Sequence, residues 1–355
     1  MIIDIVQLII DSLELPHQIK LMQISKYVYD NTFIFSLNAE LKCYGNSKII
    51  TQPIIEKHIF SRLTSLNCRS NYFITNVNHL SNSLIDLDCS LTCGIQQSGI
   101  SKLSKIKSLN CSFNIHIHDL SHLSNSLESL FCERTHINQD NILNLKKLKI
   151  LDCSHNKYIT NLDHLSNTLE DLICIGPNCG IDQRVISKLA NIKVLICNDN
   201  LNISDVNHLS RTLEILYCSY ISRKCGINQF GISKLSILKE LACNNNPTIF
   251  DVNHLANSLE KLYCHDLNCA INQDGISKLS KIKTLGCQNN THIFDVNHLA
   301  HTLKKLDCSG DSTINQNGIS KLSSFKKIKY NDNPNVTDIR HLGDFVQILD
   351  KRDNI

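Results

Sequence analysis

The sequence predicts an α/β repeat: a solenoid with a parallel β-sheet on its concave face, short helices and turns outside, and a small helical segment ahead of it. Two observations carry this. First, cysteine returns at a fixed interval. The pattern Leu/Ile-x-x-Leu-x-Cys is answered after 21 residues at Cys68 and Cys89, Cys111 and Cys132, Cys153 and Cys174, Cys197 and Cys218, Cys243 and Cys264, and Cys287 and Cys308. A period of this size means stacked supersecondary units, none able to bury its apolar face alone. Second, Leu and Cys alternate within each copy, the period of two that marks a half-buried strand.

Two repeat types take turns along the chain. The first reads Ile106-Lys-Ser-Leu109-Asn-Cys111-Ser-Phe-Asn114, with sisters starting at Leu63, Leu148, Ile192, Leu238, Ile282 and Phe325. The second reads Leu259-Glu-Lys-Leu262-Tyr-Cys264, then Cys269-Ala-Ile271-Asn-Gln-Asp-Gly275-Ile-Ser-Lys-Leu279, with sisters starting at Leu84, Leu127, Leu169, Leu213 and Leu303. A degenerate copy is readable at 38–62, where Leu41-Lys42-Cys43 precedes Ile50-Thr-Gln-Pro-Ile-Ile55. That makes about fourteen turns over residues 38–343. Asn114, Asn156, Asn200, Asn246, Asn290 and Asn333 each follow three residues after the last inward strand position. An amide there can satisfy backbone groups as the chain leaves the strand, so stacked copies predict an asparagine ladder. The Gly-Ile-Ser-Lys-Leu stretch, as at Gly231–Leu235, suits a helical turn with Ile and Leu facing in.

These motifs resemble the leucine-rich repeat family. Leu-x-x-Leu-x-Cys-x-x-Asn, with an apolar residue three positions on, is similar to its signature segment, with Cys in the third leucine slot. The resemblance covers roughly residues 38–343 and implies a repeat solenoid that binds protein partners on the concave strand face. The second repeat type is similar to the helix-bearing repeats common in F-box proteins.

Charge explains the alternation. The second signature position is Lys107, Lys149, Lys193, Lys239 and Lys283 in the first type, and Glu128, Glu170, Glu214 and Glu260 in the second. Stacked strands would then present alternating signs along one column, avoiding like neighbours.

Residues 1–37 do not follow the repeat. Ile5, Val6, Ile9, Ile10 and Leu13 fall at helical spacing, a helix ending near Glu14, and Pro16 suits the first turn of a second helix. This head resembles an F-box on Asp4-Ile5-Val6-x-x-Ile9-Ile10-x-x-Leu13, Leu15-Pro16 and Leu21-x-x-Ile24-Ser25-Lys26. The resemblance implies that Ile5, Val6, Ile9, Leu13, Leu15, Pro16, Leu21 and Ile24 dock the linker subunit of a cullin-type ubiquitin ligase while the repeats hold its substrate. The family's opening Leu-Pro is missing and its Trp is replaced by Val28 or Tyr29. Two such helices also suit a plain cap on an exposed core end, and residues 344–355 suit a cap or tail at the other. The alternatives are therefore a substrate-recruiting adaptor and a binding scaffold with no ligase role.

Outward strand positions form a central column that is apolar in its middle and polar at its ends. Phe131, Ile150, Ile173, Ile175, Val194, Ile196, Ile215, Tyr217 and Tyr263 make an apolar and aromatic cluster expected to hold the protein target. Net charge is +3, with 36 basic and 33 acidic side chains, which offers no field for nucleic acid or anionic lipid. The opening residues carry no basic n-region and no span, so neither export nor a membrane is expected. The 17 cysteines then read as reduced thiols in the cytoplasm or nucleus. They fill narrow core layers, with Cys93, Cys179, Cys225 and Cys269 expected to be more exposed. No Cys-x-x-Cys pair occurs, so no metal is expected. His79, His122, His164, His208, His254, His298 and His341 form a column expected to hydrogen-bond backbone. No cofactor motif or catalytic constellation stands outside the repeats, so the chain reads as a non-enzyme.

Overall fold

The computed structural model describes residues 2–23, 25–40, 49–323, 326–343 and 346–348. Cys43 and its neighbours in the degenerate copy, Ile24, Phe325, Phe345 and Leu349 lie outside the described residues. The chain forms two compact units, Met1–Ile159 and Thr160–Ile355.

In the first unit, helices α1 (Ile2–Asp11), α2 (Leu15–Met22) and α3 (Lys26–Asn31) pack together. Ile10 and Met22 are wholly buried between them. Gln7 ties α1 to the following segment, donating to the Phe33 carbonyl at 2.7 Å and accepting from the Phe33 amide at 2.9 Å. Strands β1 (Ser36–Asn38), β2 (Ser65–Asn67), β3 (Asp86–Asp88), β4 (Ser108–Asn110), β5 (Ser129–Phe131) and β6 (Ile150–Asp152) follow. Each pairs in parallel with the next, and the leucines stand in register, Leu87 beside Leu109 and Leu109 beside Leu130.

The second unit repeats the plan with β7 (Asp171–Ile173), β8 (Val194–Ile196), β9 (Ile215–Tyr217), β10 (Glu240–Ala242), β11 (Lys261–Tyr263), β12 (Thr284–Gly286), β13 (Lys305–Asp307), β14 (Lys327–Lys329) and β15 (Gln347–Ile348). These too pair in parallel and in sequence order. The fold is that of leucine-rich repeats: one three-residue strand per turn, an outer helical turn, and a core of Leu, Ile and Cys. First-type turns close with 3₁₀ turns such as Asn207–Leu209; most second-type turns close with one α-helical turn such as Gln229–Ile232. Gly-Ile-Ser-Lys-Leu begins inside that turn, and both its Ile and its Leu are buried, as at Ile232 and Leu235.

The columns anticipated from sequence are built as ladders, with the exception that His122 Nε2 has no hydrogen-bond partner among the described residues. Asn200 donates to the carbonyls of Cys174 (3.0 Å) and Ile181 (3.2 Å) and accepts from its own Asn202 amide (3.0 Å). Asn246, Asn290 and Asn333 repeat this arrangement. His208, His254, His298 and His341 each place Nε2 about 3.0–3.1 Å from the isoleucine carbonyl of the preceding turn. A glutamine opening the outer helical turn clamps the next turn: Gln229 donates to the Asp251 carbonyl and accepts from the Phe250 and Asp251 amides. Gln52 does the same toward Asn76 and Thr75, marking the degenerate turn as a true member. Every residue before a ladder asparagine takes a left-handed backbone, with φ of 57° at Asp199 and 58° at Asn245. Each such non-glycine residue costs about 1 kcal/mol, offset by the three hydrogen bonds of the asparagine that follows.

The 16 described cysteines are all buried. Cys93, Cys179, Cys225 and Cys269, expected to be more exposed, are at most 5 % accessible. The loop that carries them folds inward because its next residue but one is a core isoleucine. Among the described residues, no helix is long and apolar enough to cross a membrane.

Candidate functional site

The solvent face of the second unit's sheet is a graded surface. Parallel register aligns Ile173, Ile196, Tyr217, Ala242, Tyr263 and Gly286 in one column, closed by Asp307 and Lys329. Large and small residues alternate from β9 onward. Ala242 and the flanking Glu240 are buried although they point outward, because Tyr217 and Lys261 lean over them.

Two polar networks shape this relief. Tyr217 donates its phenolic proton to Glu240, and Lys261 pairs with the other carboxylate oxygen at 2.8 Å. Burial, then the Glu240 hydrogen bond, pushes the Tyr217 phenol well up. Further along, Asp307 accepts from the Ser309 amide at 3.1 Å and faces Lys329 at 3.9 Å.

The residues just after the ladder cysteines form a relay. The Ser219 amide donates to Asn198 Oδ1 (2.7 Å), the Asn244 amide to Ser219 Oγ (3.1 Å), and the His265 amide to Asn244 Oδ1 (2.9 Å). The side-chain oxygens are thus used internally, while the amide NH2 groups of Asn198 and Asn244 have no acceptor among the described residues. His265 stacks on Tyr263 with ring centroids 6.2 Å apart and planes at 15°. Gly286 makes room for it: a Cβ there would lie 2.6 Å from His265 Nε2. Burial pushes the His265 pKa down, so its ring is neutral at pH 7, and its Nδ1 has no partner among the described residues.

Between these walls lies a groove of about 580 Å³. Tyr217, Tyr263, Asn198, Asn244, His265 and Gln288 line it, and Asp307 with Lys329 closes one end. The volume falls in the range of ligand-binding clefts, with aromatic faces and a few convergent polar groups. Its chemistry is that of recognition: two aromatic surfaces, fixed amide donors, and a neutral imidazole. The strand thiols behind it face inward, and burial pushes those of Cys218 and Cys287 well up, opposite to the need of a nucleophile.

Of the residues expected to hold a target, Tyr217 and Tyr263 line this groove. Ile173, Ile175, Val194, Ile196 and Ile215 lie half-buried on or beside β7, β8 and β9 of the same unit. In the first unit, Phe131 lines a shallower hollow of about 240 Å³ with Asn67, Asp88 and Asn110, and Ile150 is half-buried on β6. Sequence reasoning missed Asn198, Asn244, His265 and Gln288. Their signal is a departure from pattern: Ser112 and Ser154 hold the equivalent place in earlier first-type turns, where Asn198, Asn244 and Gln288 replace them. At the head, Ile5 and Ile9 are exposed together with Leu8, whereas Val6, Leu13, Leu15 and Leu21 are half-buried and Pro16 is exposed on α2.

No family model matches the chain, and no curated protein matches it. Solved structures do. A chain of the yeast Rad7–Elc1 complex is similar in fold, with a TM-score of 0.53 and 14% identity, the match covering 98% of this chain and 92% of that one. An internalin from Listeria monocytogenes gives 0.49 and 18%, over 99% and 95%. The functional domain of InlJ from the same organism, which includes a cysteine ladder, gives 0.44 and 20%, over 86% and 66%. The likeness to the yeast chain is one of fold alone.

Proposed function

We propose that this chain is a protein-recognition scaffold, with the sheet face of the second unit as its binding surface. The single observation that carries the reading is the groove at Tyr217 and Tyr263, where aromatic walls flank unengaged amide donors on a rigid ladder. Rigid aromatic anchors beside fixed polar groups supply most of the energy at protein interfaces. The apolar cluster of Ile173, Ile175, Val194, Ile196 and Ile215 extends the same surface, and Phe131 and Ile150 are its counterparts in the first unit. The test is quantitative affinity capture with the wild-type chain and the double variant Tyr263→Ala/Asn244→Ala. Proteins retained by the wild type and lost by a variant of unchanged circular dichroism support the reading. An identical set on both rejects it.

A second reading concerns the head. Ile5, Leu8 and Ile9 are 54 %, 69 % and 48 % exposed, and they lie three and four apart on one face of α1. An uncovered apolar stripe on a short helix is an energetic liability unless something covers it. This supports docking of a cullin-ligase linker subunit on the F-box-like segment, which would make the scaffold a substrate-recruiting adaptor working in the cytoplasm or nucleus. The yeast structure of similar fold is that of a complex of Rad7 with Elc1. Co-elution of the purified linker subunit with the chain, abolished by Ile5→Asp/Ile9→Asp, is the expected result; no co-elution leaves the scaffold reading alone.

A further inference from the structure

Each second-type turn has a small residue two positions ahead of its core isoleucine. The slot holds Cys93, Thr135, Cys179, Cys225, Cys269 and Ser312. Thr135 shows what the fold itself needs there: its hydroxyl donates to the Cys132 carbonyl at 2.9 Å. A hydroxyl suffices, yet four of the six slots hold a thiol. Cysteine brings a consequence that Thr and Ser do not, because the slot lies beside the strand thiol of the turn before. Cys93 Sγ is 3.6 Å from Cys68 Sγ. Cys225 Sγ lies 3.4 Å from the Cys197 carbonyl and Cys269 Sγ 3.6 Å from the Cys243 carbonyl, which sets each beside the strand cysteine of the turn before.

We propose that Cys68 and Cys93 form a disulfide when the chain meets a small-molecule disulfide such as oxidised glutathione, and that Cys197–Cys225 and Cys243–Cys269 do the same. Each bond staples a first-type turn to the second-type turn that follows it. The sulfurs of Cys68 and Cys93 are 3.6 Å apart, so closing to the bonded distance of about 2.05 Å requires movement on the order of an ångström and a half. Cys93 is the member that reacts first. It is the less buried of the two, at 5 % against 0 %, and the hydrogen bond between the two thiols holds its pKa down while that of Cys68 is raised. The Cys93 thiolate attacks one sulfur of oxidised glutathione, forming a mixed disulfide and releasing one glutathione thiolate. The Cys68 thiolate then attacks Cys93 Sγ, forms the internal bond and releases the second glutathione. Two protein thiols lose their protons and two electrons, and one glutathione disulfide becomes two thiols.

The test is to fold the full chain in a glutathione redox buffer, block free thiols under denaturant, and map linked peptides by mass spectrometry. The expected result is Cys68–Cys93, Cys197–Cys225 and Cys243–Cys269 peptides, with Cys89, Cys111 and Cys132 blocked as free thiols. Oxidised chain should unfold at higher urea than reduced chain. Cys93→Ser, or Cys93→Thr if the first folds poorly, should remove only the Cys68 linkage and leave the reduced midpoint unchanged. Uniform blocking of every cysteine, or bonds between successive strand cysteines such as Cys68–Cys89, would overturn the assignment.

Discussion

Tyr217 and Glu240 are joined across adjacent strands by a hydrogen bond from the phenol to a carboxylate that is only 8 % exposed. The bond is one of two that make a buried charge tolerable on an otherwise apolar stretch of sheet, Lys261 providing the other. A buried carboxylate that loses a donor carries the full desolvation penalty of the lost contact. Tyr217→Phe is therefore expected to lower stability by about 1–3 kcal/mol, read as a shift in the urea midpoint. Tyr217→Phe/Glu240→Gln should recover part of it, because the amide needs less compensation than the charge. Equal losses in the single and double variants would show that the loss does not come from the Glu240 charge.

Asn200 makes three hydrogen bonds from a wholly buried amide. Asn200→Ala strands two carbonyls and one backbone amide, which costs about 3 kcal/mol at roughly 1 kcal/mol per orphaned group. Amide exchange should quicken at residues 197–203 before it quickens at distant turns, since a repeat array senses damage through its nearest neighbours.

Gly231 and Gly286 offer a contrast between rigid and yielding neighbours. A Cβ at Gly231 would sit 1.9 Å from the Ser204 backbone oxygen, whereas at Gly286 it would meet the His265 ring. Gly231→Ala is expected to cost about 3 kcal/mol, the upper range for overpacking, because a backbone carbonyl in a stacked turn cannot rotate away. Gly286→Ala should cost less and act on the groove instead, displacing His265 and weakening partner binding. Thermal melts and binding titrations of the two variants separate these outcomes.

Much of the architecture was open to reading before any coordinates. The recurring Leu-x-Cys spacing forced stacked strands, and the Lys and Glu columns were visible as such; Lys193–Glu170 at 2.7 Å and Lys239–Glu214 at 2.7 Å realise them. The glutamine clamp was equally present in the letters, but Gln52 and Gln229 read as ordinary polar loop residues until their carbonyl partners on the next turn were seen. Left-handed residues left no trace in composition, since Phe113, His155 and Asp199 hold the position without a glycine among them. The groove was half legible. Tyr217 and Tyr263 stood out as aromatics among outward positions. Asn198, Asn244 and His265 did not, because a polar residue on a solvent face carries no signal until register places several of them around one hollow.

Acid should loosen the chain through its histidines. Burial pushes His122, His254 and His265 below the ordinary imidazole pKa, with Asp119, Asp251 and Asp307 respectively opposing it. The folded state thus binds fewer protons than the unfolded chain, whose histidines titrate near 6.5. Stability from this source is full above about pH 6.5, falls as pH drops below it, and levels off once pH passes the depressed folded values. Urea midpoints measured from pH 7.5 down to 5 should decline, and His254→Gln should flatten the slope. A flat profile in the wild type would contradict the assignment.

The alternation of Lys and Glu from one turn to the next has an evolutionary corollary. Glu128 is shared by Lys107 at 3.2 Å and Lys149 at 2.9 Å, so one acidic turn can serve two basic neighbours. Duplicating or deleting a single turn would set ammonium against ammonium or carboxylate against carboxylate at the junction. Copying a basic and acidic turn together leaves the seam intact. Within the alternating stretch from Lys107 to Lys283, adding or removing whole pairs of turns is therefore the change that preserves the seam; beyond it Lys304 and Lys326 follow Lys283 and the alternation ends.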